Sequence, residues 1–399
     1  YNLISKNELE EFKNQKFIKL YRNAIKHSKF YNELYKKNGL NENSITSIDD
    51  IKLLPEISKK DIRNRIDDVL TVSKRCVAKG YTSGTSGSPL TVYRDPMAIL
   101  REHSYLMHYR IRNGLKPRDP KVSIRGDLNQ DTVYTFDRAS NTLFFSSYNL
   151  NKHQLKTFIK LISDYQPKAL IGYPSSLFIL ANEFQKADIQ LFIPLAFTSS
   201  ETLYEFQKET IENTFHCSIY DWYGNSERTI AMEQCELGHY HEVPGYSITE
   251  YYNDHIISTS LINNTFPLIR YRTDDVMNSV QNDCECGLNT FFTKQITGRS
   301  DDFIYLKDGT TIGSPGISTS FKNIDHIIYT QIVQSSKSSI DLNLVVHEAF
   351  YETEGEKHLL TNLKKRIGDD LEINLRYVAE EHLLKSRNGK YKLIVNEVK

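Results

Sequence analysis

Between residues 121 and 222 short apolar runs and longer amphipathic stretches take turns, and that alternation narrows the fold more than any other feature of the chain. Residues 121–125, 143–146, 169–172, 195–198 and 218–222 read as strands, and 152–165, 176–186 and 203–214 as helices. Strands separated by helix-length segments pair in parallel, because a parallel connection has to cross the sheet. The sequence therefore predicts an α/β core with largely parallel strands, the rhythm continuing to about residue 300. In such a sheet the loops at the carboxyl ends of the strands face ligands.

The flanks read differently. Leu9, Phe12, Phe17, Ile18, Tyr21, Ala24 and Ile25 fall at helical spacing, which predicts a pair of amphipathic helices over 7–38. Pro55 interrupts a second helical region, and Ser58 is placed to cap a helix over 59–65. Residues 90–93 read as a strand and 96–113 as a helix. Near the end, strands at 327–334, 341–346 and 372–378, with a helix at 353–367, give the order β-β-α-β of a small α+β domain. The boundary is expected at 298–302, dividing the chain into 1–299 and 300–399.

With 399 residues the chain is long enough for two or three domains. Its 50 basic and 50 acidic residues cancel, which argues against a dedicated nucleic-acid binder. No apolar run reaches membrane-spanning length. Five cysteines make a poor disulfide scaffold and point to a reducing cytoplasm. The chain opens at Tyr1 rather than Met, so its natural start is expected upstream.

Within this frame one segment speaks of chemistry. Residues 82–90 run Thr-Ser-Gly-Thr-Ser-Gly-Ser-Pro-Leu. Gly84 and Gly87 allow tight turns, and successive amides in such turns form an anion-binding concavity. A flexible linker would be longer and would lack a strand behind it. The P-loop lysine is missing, so cationic help must come from elsewhere.

Four later segments belong beside it. They are Thr198-Ser199-Ser200-Glu201, Asp221-Trp222-Tyr223-Gly224-Asn225-Ser226-Glu227, Arg270-Tyr271-Arg272-Thr273-Asp274-Asp275 and Gly298-Arg299-Ser300-Asp301-Asp302. A carboxylate such as Glu227 suits Mg²⁺ on a triphosphate, and Tyr223 suits a purine. Gly389-Lys390 lies on a late loop. Read singly, each has a plainer alternative: an acid at a helix N-terminus, a solvated turn, a charged linker, a surface lysine.

Read together and in order, they resemble the adenylate-forming superfamily of acyl-CoA synthetases, adenylation domains and luciferases. Residues 82–89 match its T-S-G-T-T-G-x-P, 223–227 its Y-G-x-S/T-E, 271–275 its Y-R-T-G-D with Asp274 for Gly, 298–302 its G-R-x-D-D, and 389–390 its late G-K. Leu54-Pro55, Ser58-Lys59-Lys60-Asp61, Gly172-Tyr173-Pro174-Ser175 and the D-x-Y-G-x-S-E form of 221–227 resemble the phenylacetate-CoA ligase and CapK-like branch.

The resemblance implies a large N-terminal ATP- and acid-binding adenylation domain (1–299) with mixed and parallel sheets, and a small mobile C-terminal α+β domain (300–399). It implies that ATP and a carboxylic acid give an acyl-adenylate and pyrophosphate, after which coenzyme A or another nucleophile takes the acyl group. Ser83, Gly84, Thr85, Ser86 and Gly87 would cradle the terminal phosphates, with Thr85, Glu227 and Lys390 counted as catalytic. Glu227 would hold Mg²⁺. Ser200, Glu201, Trp222, Tyr223 and Gly224 would border the nucleotide. Asp275 and Arg299 would meet the ribose, Asp301 would be the hinge, and Lys390 would neutralise charge between carboxylate and α-phosphate. Two rivals remain: transfer to an amine or hydroxyl of a sugar in capsular polysaccharide biosynthesis, and a non-catalytic nucleotide-binding protein. The acid, the acceptor and the oligomeric state are not readable, and a homodimer stays open.

A second constellation does not involve ATP. Cys235, His241, Cys284 and Cys286 have spacings that suit a closed structural Zn²⁺ site, with His239 as a competing imidazole. The alternative is four reduced residues near a turn.

Overall fold

The computed structural model of the chain describes residues 5–82, 90–125, 133–147, 152–252, 255–273, 275–278, 284–297, 303–307, 311–313, 317, 319–321, 324, 326–369, 371–384 and 393–398. The chain divides into two compact units. One comprises Tyr1–Thr82, Leu90–Asn113 and Tyr220–Gly298; Gly114–Ile219 and Arg299–Lys399 belong to the other. The architecture is mixed α/β, with a large N-terminal part and a separate C-terminal α+β domain.

In the second unit the expected parallel strands form. Leu195–Ser199, Ala169–Gly172, Lys121–Arg125 and Thr142–Ser146 lie side by side in that order, and Tyr134–Asp137 closes the edge antiparallel. Helices Lys152–Tyr165, Pro174–Lys186 and Glu205–Phe215 connect them. Val122, Leu170 and Ala196 are buried with Leu155, Phe158 and Leu177 from the helices, and residues 143–145 and 169–171 are apolar at consecutive positions. The register Gly172↔Thr198 brings two carboxyl ends together.

The C-terminal sheet has the order Glu372–Tyr377, Ser339–Val346, Ile327–Gln334, Ile394–Asn396. The last strand, parallel to Ile327–Gln334, adds a member to the expected β-β-α-β. Helix Gly355–Ile367 turns Leu359, Leu363 and Ile367 onto Ile332, Leu342 and Leu344, four residues apart as one helical face requires.

The first unit begins with helices Lys6–His27 and Lys29–Lys37. A capping box starts the first: Glu8 N–H donates to Ser5 Oγ, and Ser5 N–H donates to the Glu8 carboxylate. Phe17, Leu20, Tyr21, Ala24 and Ile25 bury one face. Tyr31 ties the second helix down, its hydroxyl donating to the Pro267 carbonyl and accepting from Ile269 N–H, both at 3.0 Å.

The expected alternation stops at Gly224. Beyond it Ala231–Gln234, Tyr240–Glu242, Ser247–Tyr251, Ile256–Ser260, Tyr271–Thr273 and Phe292–Thr293 pair antiparallel. The segments between most of them are far shorter than the dozen or more residues of a parallel crossover. Strand Ser218–Gly224 also runs further than expected, since Trp222, Tyr223 and Gly224 pair with Glu233, Met232 and Ala231. Among the described residues no helix is long and apolar enough to cross a membrane.

Candidate functional site

In the first unit two acid-bearing segments brace one another. The Tyr223 hydroxyl donates to Asp275 Oδ2 at 2.6 Å. The Tyr271 hydroxyl donates to Glu227 Oε1 at 3.1 Å. Each segment reads Tyr-x-x-x-acid, and each tyrosine serves the other segment's acid. Tyr223 ends a strand, and Tyr271 begins one that is held to the backbone of Ile57 at both Arg270 O and Arg272 N. Desolvation pushes the Glu227 carboxyl above its ordinary range. Lys59 and the Tyr271 hydroxyl pull against this, while Asp275 raises it further. Two carboxylates in mutual electrostatic reach, both in the short segments that follow strands, suit a divalent cation with phosphate oxygens.

Strand alternation sends Trp222 to the face opposite Tyr223. Trp222 is buried against Tyr109, ring centroids 5.6 Å apart, and supports the strand from behind. Gly224 leaves the space that Trp222 Nε1 occupies, since a Cβ there would stand 3.2 Å from it.

Within the second unit the strand ends Gly172 and Thr198 pair with each other. Glu201 accepts from Ser175 N–H at 3.1 Å, at the start of helix Pro174–Lys186, where a carboxylate meets the positive end of the helix dipole. Its Oε1 is buried with no hydrogen-bond partner in the protein, and desolvation raises its pKa. Ser200 is exposed.

Three residues with positive φ stand beside these groups: Ser200 at 72°, Arg228 at 57° and Arg270 at 50°. Ser200 is itself an expected site residue, Arg228 follows Glu227 and Arg270 precedes Tyr271, and non-glycine residues in this region carry strain of about 1 kcal/mol or more. Arg270 is secured by a bidentate pair with Glu250, both bonds 2.8 Å, and by the Leu54 carbonyl at 2.6 Å.

Of the remaining expected residues, Ser83, Gly84, Thr85, Ser86, Gly87, Asp274, Arg299, Asp301 and Lys390 lie outside the described residues.

The cysteine–histidine set does come together. The donor atoms of Cys235, His241, Cys284 and Cys286 all lie within 4.8 Å of one another. Cys235 and Cys284 each open a tight turn closed three residues later by a glycine of positive φ, Gly238 and Gly287. His241 Nε2 is 3.3 Å from Cys286 Sγ, and Thr290 Oγ1 is 3.4 Å from His241 Nδ1. His239 sits nearby, 3.1 Å from Cys284, so the competing imidazole borders the cluster. Burial lowers the His241 pKa to about 4 and raises that of Cys286 to about 12. Cys76 is exposed and Cys217 half-buried, both apart from the set.

The strand carrying His241 touches three assemblies. Tyr240 donates to Asp221 Oδ2 at 2.8 Å, His241 joins the thiols, and Glu242 accepts from Tyr251 and lies 3.9 Å from Lys13 Nζ. Sequence reasoning missed Tyr271 as the holder of Glu227, Lys59 as a charge near it, and Thr290 behind His241.

A family model described as the CapK C-terminal domain matches residues 304–397. The chain is 28% identical to Protein CapK of Staphylococcus aureus, over 98% of this chain and 90% of that protein. It is 21% identical to the phenylacetate-coenzyme A ligase of Thermus thermophilus, over 92% of each. Among solved structures, 2-hydroxyisobutyryl-CoA ligase in complex with 2-HIB-AMP and CoA in the thioesterification state matches with a TM-score of 0.63. That match covers 99% of this chain and 91% of the other at 18% identity, a likeness of fold.

Proposed function

Starting from a chain that belongs to the adenylate-forming superfamily, on its CapK-like side, we propose that it activates a carboxylic acid with ATP and hands the acyl group to a thiol, coenzyme A. A carboxylate oxygen of the acid attacks the α-phosphorus. The bond to the bridging oxygen of the β-phosphate breaks, and pyrophosphate leaves with the electron pair. The thiolate then attacks the acyl carbon and AMP departs.

The crossed pairs Tyr223–Asp275 and Tyr271–Glu227 carry this reading. Glu227 would hold Mg²⁺, which would offset the phosphate charge during transfer. Asp275, aimed by Tyr223, would accept from the ribose hydroxyls. Ser200, Glu201 and Tyr223 would border the base, and Trp222 and Gly224 would support that edge. Ser83, Gly84, Thr85, Ser86 and Gly87 would hold the terminal phosphates, with Arg299 beside the ribose. Asp301 would be the hinge between 1–299 and 300–399, and Lys390 the late cation. Cys235, His241, Cys284 and Cys286 would hold Zn²⁺ as a structural set of three soft thiolates and one imidazole. Its work would be to staple the second half of the first unit.

A second reading keeps the adenylation and sends the acyl group to an amine or hydroxyl, as on a sugar. It is favoured by 27% identity to the indoleacetate–lysine synthetase of Pseudomonas savastanoi, over 56% of this chain and 58% of that protein. The deciding experiment is ATP–pyrophosphate exchange across a library of acids, followed by product analysis with and without coenzyme A. Glu227→Ala is expected to weaken the Mg·ATP-dependent step. Lys390→Ala should lose adenylation yet still transfer from preformed adenylate. Failure of exchange across the whole panel of acids would support a non-catalytic nucleotide binder and sink the reading.

A further inference from the structure

On both sides of Glu227 stands a residue tied to the same distant segment. Arg94, the last residue of strand Thr91–Arg94, donates through Nη2 to the Ser226 carbonyl. Arg228 donates through Nη1 to the Ala98 carbonyl at 3.0 Å, in the first turn of helix Pro96–Arg112. Each segment thus sends an arginine into the other's backbone, and Glu227 lies between the two attachment points. The segment between is self-braced, because Asn225 Oδ1 accepts from Thr229 N–H at 2.9 Å and Asn225 Nδ2 donates to Thr229 Oγ1 at 2.7 Å.

The charges are arranged unevenly. Glu102, one helical turn beyond Ala98, is the acid within electrostatic reach of both arginines, and it accepts from the buried Tyr246 hydroxyl. Desolvation and Arg228 both push the Arg94 guanidinium below its ordinary range, with Glu102, Tyr246 and Glu227 opposing. Arg94 Nε is buried with no hydrogen-bond partner in the protein. Two arginines that share Glu102 as their common acid are an expensive way to hold a turn that needed only packing, since buried pairs are commonly matched by apolar residues of similar volume. The turn also keeps Arg228 at a φ of 57°, where a non-glycine residue is strained. Held strain and enclosed charge meet at a single exposed duty, the direction of the neighbouring carboxylate.

We propose that Arg94 and Arg228, with Glu102 as their shared counter-ion, are positioning residues that fix the turn 225–228 and thereby aim the Glu227 carboxylate at a nucleotide-bound cation. The inference rests on the reading of Glu227 as the Mg²⁺ acid. Without the clamp the turn relaxes, and Glu227 spends binding energy on finding its direction.

The test is titration calorimetry of the full chain with ATP plus Mg²⁺ and with ATP plus EDTA. It needs no acid substrate. The ratio of the two dissociation constants reports the cation's share of binding, and a misfolded fraction changes the stoichiometry but not that ratio. Arg228→Asn keeps a residue at ease in left-handed backbone while removing the arm. It is expected to shrink the ratio about tenfold, the worth of a charge-assisted hydrogen bond. Arg94→Gln should shrink it too, and Arg94→Lys should restore most of it. In a Glu227→Gln background, Arg228→Asn should change the ratio no further. A wild-type ratio of one removes the Mg²⁺ role of Glu227 and the purpose of the clamp with it. A large wild-type ratio that survives Arg228→Asn and Arg94→Gln, or a further loss in the Glu227→Gln background, overturns the clamp alone.

Discussion

The Tyr223 hydroxyl donates to Asp275, fifty-two residues away, at 2.6 Å. Tyr271 returns the favour to Glu227, forty-four residues away. Each acid accepts from a tyrosine of the other segment. A displacement of either strand end therefore moves a tyrosine and an acid together, and the two carboxylates keep their relation to each other. That preorganisation favours sites where a cation and a sugar of one ligand are gripped at once.

Tyr223→Phe removes one hydroxyl and leaves the ring. The KM for ATP in pyrophosphate exchange is expected to rise about tenfold, as for loss of a hydrogen bond to a charged acceptor, with the KM for the acid unchanged. Equal rises in both would mean that the hydroxyl serves the fold and not the nucleotide.

The thiol cluster makes a composition forecast. Purified chain should carry one zinc by elemental analysis, and Cys284→Ser should lose it and melt several degrees lower. Metal-free wild type with an unchanged melting temperature would show that the cysteines are merely reduced neighbours.

Glu102 gives a pH dependence. Desolvation raises its pKa in the folded chain, so the folded state holds the proton to higher pH than the unfolded state does. Stability linked to this group is therefore present below the ordinary glutamate range and is lost as pH rises through the raised folded value. Glu102→Gln removes the linkage. The variant's melting temperature, relative to wild type, should improve as pH climbs from about 4 toward neutrality. A difference that is flat, or that falls with pH, would contradict this assignment.

Tyr31→Phe should destabilise the chain by about 1–3 kcal/mol in urea denaturation, because Pro267 O and Ile269 N–H both lose their shared partner in a fully buried place. Affinity for ATP should not change, since neither Tyr223–Asp275 nor Tyr271–Glu227 loses a partner. Full stability in the variant would mean that water replaces the hydroxyl.

The parallel strands were legible because burial on both faces leaves unbroken apolar runs such as Leu143-Phe144-Phe145 and Ala169-Leu170-Ile171. The strands beyond Gly224 were not, because three to five residues carry little periodicity and their pairing is chosen by distant partners. The acids at 227 and 275 could be named from their segments, but the exchange of tyrosines could not. Arg94 and Arg228 left no trace at all, since their contacts span 132 and 130 residues. His239, just before strand Tyr240–Glu242, and His241 within it are two residues apart and both stack on Phe292, so spacing alone had no means of ranking them.

Strand Tyr240–Glu242 has one side chain in each of three polar assemblies. An oxidant that reaches Cys286 would loosen His241, and through the adjoining residue the grip of Tyr240 on Asp221. Damage by peroxide would thus register at strand Ser218–Gly224 without a single atom there having reacted.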